Sequence, residues 1–258
     1  MFKFLRGKPS CPIHPIAKDW LEDRLEWLFD QFGAEVFLVR PVVLPTHDLL
    51  PDGFDYSDTS LRRLLDRICD LMGANSASVD LEVVKAPNQL IGFVNEDGYD
   101  VDAGFGGLYV SGDGVTRTSI SISTDELCDV SGLIGTIAHE LAHHRLMGEG
   151  RIDEDVFDNE LLTDLTVVFH GIGVLKANSP RNWPGDDTTW PGTSVRKPEY
   201  MTEPLYGHAL AHAAWLRGED KPAWARHLNL DVREVFYQGL RYLQETGDSK
   251  LAPQRFPR

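Results

Sequence analysis

Positive charge, cysteine and long apolar runs are all scarce in this 258-residue chain. Lysine and arginine number 25 against 40 aspartates and glutamates, for a formal net charge of −15. Such a surface repels phosphate backbones and anionic headgroups, so neither nucleic acid nor a membrane is expected as a partner. The three cysteines, Cys11, Cys69 and Cys128, are widely spaced and odd in number. They make no disulfide framework, and a reducing, cytoplasmic setting is expected. No apolar stretch reaches the roughly 18–20 residues of a membrane span. The opening MFKFLRGKPSCP has positive charge but lacks the apolar stretch of about 7–15 residues that a secretory signal needs. Internal repeats are absent as well, which excludes a solenoid.

What is present is an ordinary globular composition, 42% apolar. That suffices for one substantial core and leaves room for a small second lobe. Trp20 to Phe32 places Leu21, Leu25, Leu28 and Phe32 at helical spacing, with Asp19 as a cap and Gly33 as a stop. VFLVRPVVLP, interrupted by Pro41, reads as a short or edge strand. A second helix follows, capped by Ser57 or Asp58, with Leu61, Leu64, Leu65, Ile68 and Met72 on one side and Gly73 at its end. VDLEVVK alternates at period two and reads as a strand. LYV and RTSISIS flank the turn SGDGV and read as a hairpin. After Asp125 the pattern is helical, with helices expected around Leu205 to Arg217 and Val232 to Gln244. The exception is the proline- and tryptophan-bearing stretch Asn178 to Pro204, a lid or a cover for the core that carries Trp183 and Trp190.

The strongest chemical signal is His139-Glu140-Leu141-Ala142-His143. Helical residues four apart share a face, so His139 and His143 can aim two imidazoles at one ion, and imidazole nitrogen suits zinc. Glu140 is rotated off that pair, where it can take a proton from water activated by the metal and pass it to a leaving group. With 9 histidines in the chain, a chance H-E-x-x-H has a probability of roughly 2% by composition. The apolar, helical flanks GLIGTIAHELAHHRL supply the context such a motif requires.

A zinc site with an open position needs a third protein ligand. Glu149 is one candidate, although Leu146 stands where a metzincin would carry glycine. Asp153, Glu154, Asp155 and Asp158 read as a solvated acidic connector. Glu160 and Asp164 are four apart on the next helix, so one can ligate the metal while the other accepts the free N–H of a ligand histidine.

The pair HELAH and NELLTD resembles the gluzincins, the thermolysin-like metallopeptidases, over about Thr136 to Asp164. The resemblance implies His139 and His143 as ligands, Glu140 as catalytic base, Glu160 as third ligand and Asp164 as the partner of His139. Thr163 stands where that motif usually has serine, and the spacing between His143 and Glu160 is shorter than in thermolysin itself. The stretch ELLTDLTVVFHGIGVLKANS also resembles bacterial proteins of unknown function. In zincins an edge strand precedes the active-site helix and pairs with the substrate backbone; RTSISIS, Arg117 to Ser123, is placed to be that strand.

His208, His212 and Tyr206, in LYGHALAHAAWLRG, are candidates for stabilising an oxyanion in the same site. His144 and His170 lie off the metal faces and read as structural. Gly104-Phe105-Gly106-Gly107 lacks a phosphate-loop lysine and reads as a turn, and Cys11-Pro-Ile-His14 as a free cysteine rather than half a zinc knuckle.

The expected fold is therefore α+β and zincin-like, a small, mostly antiparallel sheet with the active-site helix and a helical C-terminal half. Residues 1–75 are expected to form a helical or mixed subdomain and residues 76–258 the metal-binding catalytic domain. The expected activity is that of a zinc metallopeptidase acting on a peptide or protein substrate. The alternatives are a metal-stabilised regulatory or binding protein, or a zinc hydrolase of non-peptide amides.

Overall fold

The structure is a computed structural model, and it describes residues 8–46, 49–85, 93–94, 100–101, 107–110, 118–179 and 188–252. The chain forms two compact units. One is discontinuous, made of Met1–Leu44 and Glu160–Arg258; the other, Pro45–Asn159, is inserted between its halves. The expected break after residue 75 lies inside the inserted unit.

In the discontinuous unit, helix α1 spans Pro15–Phe32. It begins earlier than Asp19 because Pro15 is preorganised for the first turn and His14 Nδ1 accepts the Ile16 N–H at 3.2 Å. Its apolar stripe buries Leu21, Leu25 and Leu28 completely. The expected strand in VFLVRPVVLP is instead a short helix, α2, Ala34–Val39. Tertiary packing overrides the β-branched composition here: Phe37 lies fully buried against Phe29 and Phe169, with ring centroids 5.5 and 5.2 Å away. The Arg217 Nε donates to the Phe37 carbonyl at 2.8 Å and closes the helix off.

The same unit continues with α5 and α6, spanning Asn159–Phe169 and Gly173–Asn178, then α7 and α8, spanning Glu203–Leu216 and Leu230–Thr246. Helices α7 and α8 approach closely because Gly207 and Gly239 lie where they meet. A Cβ on Gly207 would stand 2.9 Å from the Val232 carbonyl oxygen.

The inserted unit opens on α3, Asp58–Met72. Ser57 caps it, Gly73 ends it in the left-handed conformation, and Leu61, Leu64, Leu65, Ile68 and Met72 are all buried, as their spacing predicts. Five strands follow: β1 Val79–Val84, β2 Phe93–Val94, β3 Asp100–Val101, β4 Gly107–Val110 and β5 Thr118–Ser123. β5 pairs in parallel with β1 over six residues and antiparallel with β4 over four. β2 and β3 make a two-residue antiparallel ladder. Helix α4, Val130–His143, completes the unit. The SGDGV turn, Gly104 to Gly106 and Trp183 lie outside the described residues.

These elements correct the expected fold class. Helix predominates over strand among the described residues, and the two longest strands are a parallel pair, so the α+β class with a mostly antiparallel, zincin-like sheet does not hold. The glycine-rich middle of the chain contributes only short ladders among the described residues, and no strand precedes Val79 there. β5, moreover, is central, with β1 on one side and β4 on the other. Both of its edges are paired, so it cannot take up a substrate strand. A strand-rich sequence of alternating Ser and Ile specifies which face is buried, here Ile120 and Ile122, but not whether neighbours lie on one side or both.

Candidate metal centre

Helix α4 starts at a firm cap. Asp129 accepts the N–H groups of Ser131 and Gly132 at 3.0 and 3.1 Å, and Thr136 donates to Glu126 at 3.0 Å. Two turns on, His139, Glu140 and His143 are all buried, with His139 fully enclosed. The helix then widens into a π-helical turn, His144–Gly148, a feature frequent at functional sites. Thr118 Oγ1 lies 3.1 Å from His144 Nδ1 and ties the start of β5 to the end of the histidine helix. Burial pushes the His144 imidazole below its ordinary pKa, so it serves this bond as a neutral ring.

The two Nε2 atoms of His139 and His143 are 3.2 Å apart, with ring planes 85° to one another. Nitrogens at the usual zinc distance on a tetrahedral centre are separated by about 3.3 Å, so the pair already has the bite of a zinc chelate. The connection that follows is folded back on the helix end. Arg151 N–H and Ile152 N–H both donate to the Leu146 carbonyl, at 2.8 and 3.1 Å. Asn159 N–H donates to the Val156 carbonyl at 3.0 Å, and Asn159 Nδ2 lies 3.5 Å from Met147 Sδ. Glu160 follows Asn159 directly, and ligand atoms of His139, His143 and Glu160 all lie within 4.8 Å of one another. Among the described residues, this is the one group of three or more such side chains able to hold an ion. The donor set, two imidazole nitrogens and one carboxylate oxygen, fits zinc with a position left open.

Glu149 is elsewhere engaged. It forms ion pairs with Arg145 and Arg151, and it stays out of the cluster. Asp164 is fully buried on α5, where one oxygen accepts the Met201 N–H at 3.0 Å and the other faces Lys176 Nζ at 3.6 Å. Neither partner was foreseeable from local sequence, since Met201 contributes only its backbone.

His208 and His212 occupy the interior of the discontinuous unit, both fully buried on α7. His212 Nδ1 is 3.1 Å from the His208 carbonyl oxygen and its Nε2 is 3.1 Å from Glu22 Oε1. His208 Nε2 lies 3.8 Å from Cys11 Sγ, and burial first, then the nearby His212, lowers its pKa to about 2. It is a neutral interior ring. Tyr206 is buried on the same helix. His170 Nδ1 meets the Thr166 carbonyl at 2.9 Å, and His14 caps α1.

No family model matches the chain, nor does any curated protein or solved structure. The chemistry of the site rests on its own residues.

Proposed function

We propose that this chain is a zinc-dependent hydrolase that cleaves peptide bonds, with His139, His143 and Glu160 as metal ligands and Glu140 as general base. The observation that carries the reading is the 3.2 Å approach of two buried imidazole nitrogens one helical turn apart, with a third ligand group close by. A zinc ion bound there supplies Lewis acidity and acidifies water to a pKa of about 7. Glu140, one residue beyond His139 and almost wholly buried, takes the proton from the attacking water and returns it to the leaving amine. The partnership with His139 that the gluzincin resemblance implies for Asp164 belongs to this proposal, as does an oxyanion-stabilising role for His208, His212 or Tyr206. Three ligand groups rather than four favour a catalytic over a purely structural metal.

One observation favours a second reading, hydrolysis of a non-peptide amide: the strand expected to bind a peptide backbone, β5, has both edges paired. A peptide would have to pair instead with β1 or β4, whose outer edges have no strand partner among the described residues. No helix among those residues is long and apolar enough to cross a membrane. Free Cys11, Cys69 and Cys128 suit a reducing cytoplasm.

Metal analysis of the purified chain, with casein hydrolysis by wild type and Glu140→Gln, tests the reading. We expect one zinc per chain in both proteins and activity lowered by at least about 100-fold in the variant. A wild type that binds no zinc overturns it. Zinc binding without peptide cleavage, but with cleavage of acylated amines, selects the second reading.

A further inference from the structure

Glu160 stands in the first turn of α5, and Asp164 follows it one turn later on the same face. Asp164 is fully buried, and its two oxygens meet two different segments of the discontinuous unit. Oδ2 accepts the Met201 N–H at 3.0 Å, just ahead of α7, and Oδ1 lies 3.6 Å from Lys176 Nζ on α6. Lys176 is itself only 3% exposed.

An ion pair this deep is weak grounds for stability. Desolvating both charges offsets most of their attraction, and well-packed apolar side chains of similar size hold a core as well or better. What the pair adds is direction. Every residue of α5 from Leu161 to Phe169 is buried. Apolar packing acts without direction, and a helix enclosed on all sides has no amphipathic stripe to set its rotation. Thr166 spends its hydroxyl on its own helix, donating to the Leu162 carbonyl at 2.8 Å. Asp164, by contrast, ties α5 outward at two points.

The support behind Lys176 is itself fastened. Two residues beyond it, Asn178 Nδ2 donates to the His227 carbonyl at 2.7 Å, and Asn178 Oδ1 accepts the Asn229 N–H at 2.8 Å. Ahead of α6, the Gly171 carbonyl accepts the Val43 N–H at 2.8 Å. One turn of helix, about 5–6 Å, separates the Asp164 anchor from Glu160. A rotation of α5 that the anchor prevents would swing the Glu160 carboxylate off a metal whose ligand distances tolerate only about 0.2 Å.

We propose that Lys176 is a positioning residue for the metal centre. With the Met201 N–H it fixes the rotation of α5 through Asp164, and so presents the Glu160 carboxylate to the ion. The inference rests on the reading of Glu160 as a zinc ligand.

Zinc competition with a chelator tests it, in the paired variant Asp164→Asn with Lys176→Met, which strands no charge, and in the same pair combined with Glu160→Ala. We expect the pair to weaken zinc at least about tenfold when Glu160 is present and less than about twofold when it is absent. Coupling is reciprocal, so zinc must also tighten the anchor in the unaltered chain. Zinc loading should slow exchange of the Met201 amide hydrogen at least about threefold more than that of the Trp190 amide, which is bonded to the Val195 carbonyl in the same unit. A folded pair variant with wild-type zinc affinity, an equal loss with and without Glu160, or Met201 exchange that only follows Trp190 overturns the proposal and leaves the zinc reading standing. A wild type without zinc, or Glu160→Ala with undiminished affinity, overturns the reading of Glu160 itself and the proposal with it.

Discussion

Glu22 Oε1 lies 3.1 Å from His212 Nε2, and both side chains are fully buried although 190 residues separate them. The second carboxylate oxygen accepts the Lys250 N–H at 3.0 Å, and Lys18 Nζ is 3.2 Å from the first. Burial raises the Glu22 pKa, but the bonds from His212, Lys250 and Ser249 outweigh it and hold the carboxyl at about 2. A carboxylate depressed in the folded state contributes stability above its ordinary value of 4.5 and loses it as pH falls toward the folded value. Glu22→Gln is expected to lose about 2 kcal/mol of urea stability at neutral pH. The gap to wild type should narrow as the pH is lowered below 4.5. A gap independent of pH would show that the charge contributes nothing.

Replacing Glu160 by Ala removes one of the three proposed ligands, whereas replacing Glu149 by Ala removes only its pairs with Arg145 and Arg151. Loss of groups that merely support a ligand costs about 10–100-fold in metal affinity, so loss of the ligand itself is expected to cost at least about 100-fold. Competition with a zinc chelator should show that deficit for Glu160→Ala and near wild-type affinity for Glu149→Ala. The reverse order would assign the third ligand to Glu149.

Asp164 and Lys176 form a pair buried on both sides. Removing one partner of such a pair strands the other charge, at a cost of about 3–5 kcal/mol. Asp164→Asn should therefore destabilise the fold strongly, and Asp164→Asn with Lys176→Met less than the single change. Chemical denaturation of both variants measures this. Additive losses would mean that the two groups are not coupled.

A Cβ on Gly239 would stand 2.7 Å from His208 Nδ1 and 3.1 Å from Ala211 Cβ. Gly239→Ala on exposed helical positions would stabilise, but here the close approach of α7 and α8 reverses the sign. The expected loss is about 1–3 kcal/mol, read as a lower unfolding temperature. A stabilised variant would show that the two helices separate freely.

The approach of His139 and His143 was legible in the sequence because helical geometry is local: residues 139 and 143 face one way in any regular helix. The α3 stripe and its Ser57 and Gly73 boundaries were legible for the same reason. The segment around Phe37 was not, because its helix depends on Phe29, Phe169 and Arg217, which the local pattern does not contain. The central position of β5 was hidden too, since period-two alternation reports burial of a face and says nothing of edges. His208 and His212 share the spacing of His139 and His143, yet Glu22 and Cys11 engage them from distant parts of the chain. Identical local patterns thus meet different neighbours, decided by what the tertiary fold brings opposite them.

The insertion of Pro45–Asn159 between the two halves of the other unit also sets an order of events during synthesis. The inserted unit is one continuous stretch, so its internal contacts need no chain from beyond Asn159. Its host must wait for the chain beyond Glu160 while its own first segment stands unpartnered. His139 and His143 belong to the continuous unit, and Glu160, the third proposed ligand, is the first residue of the host's returning half.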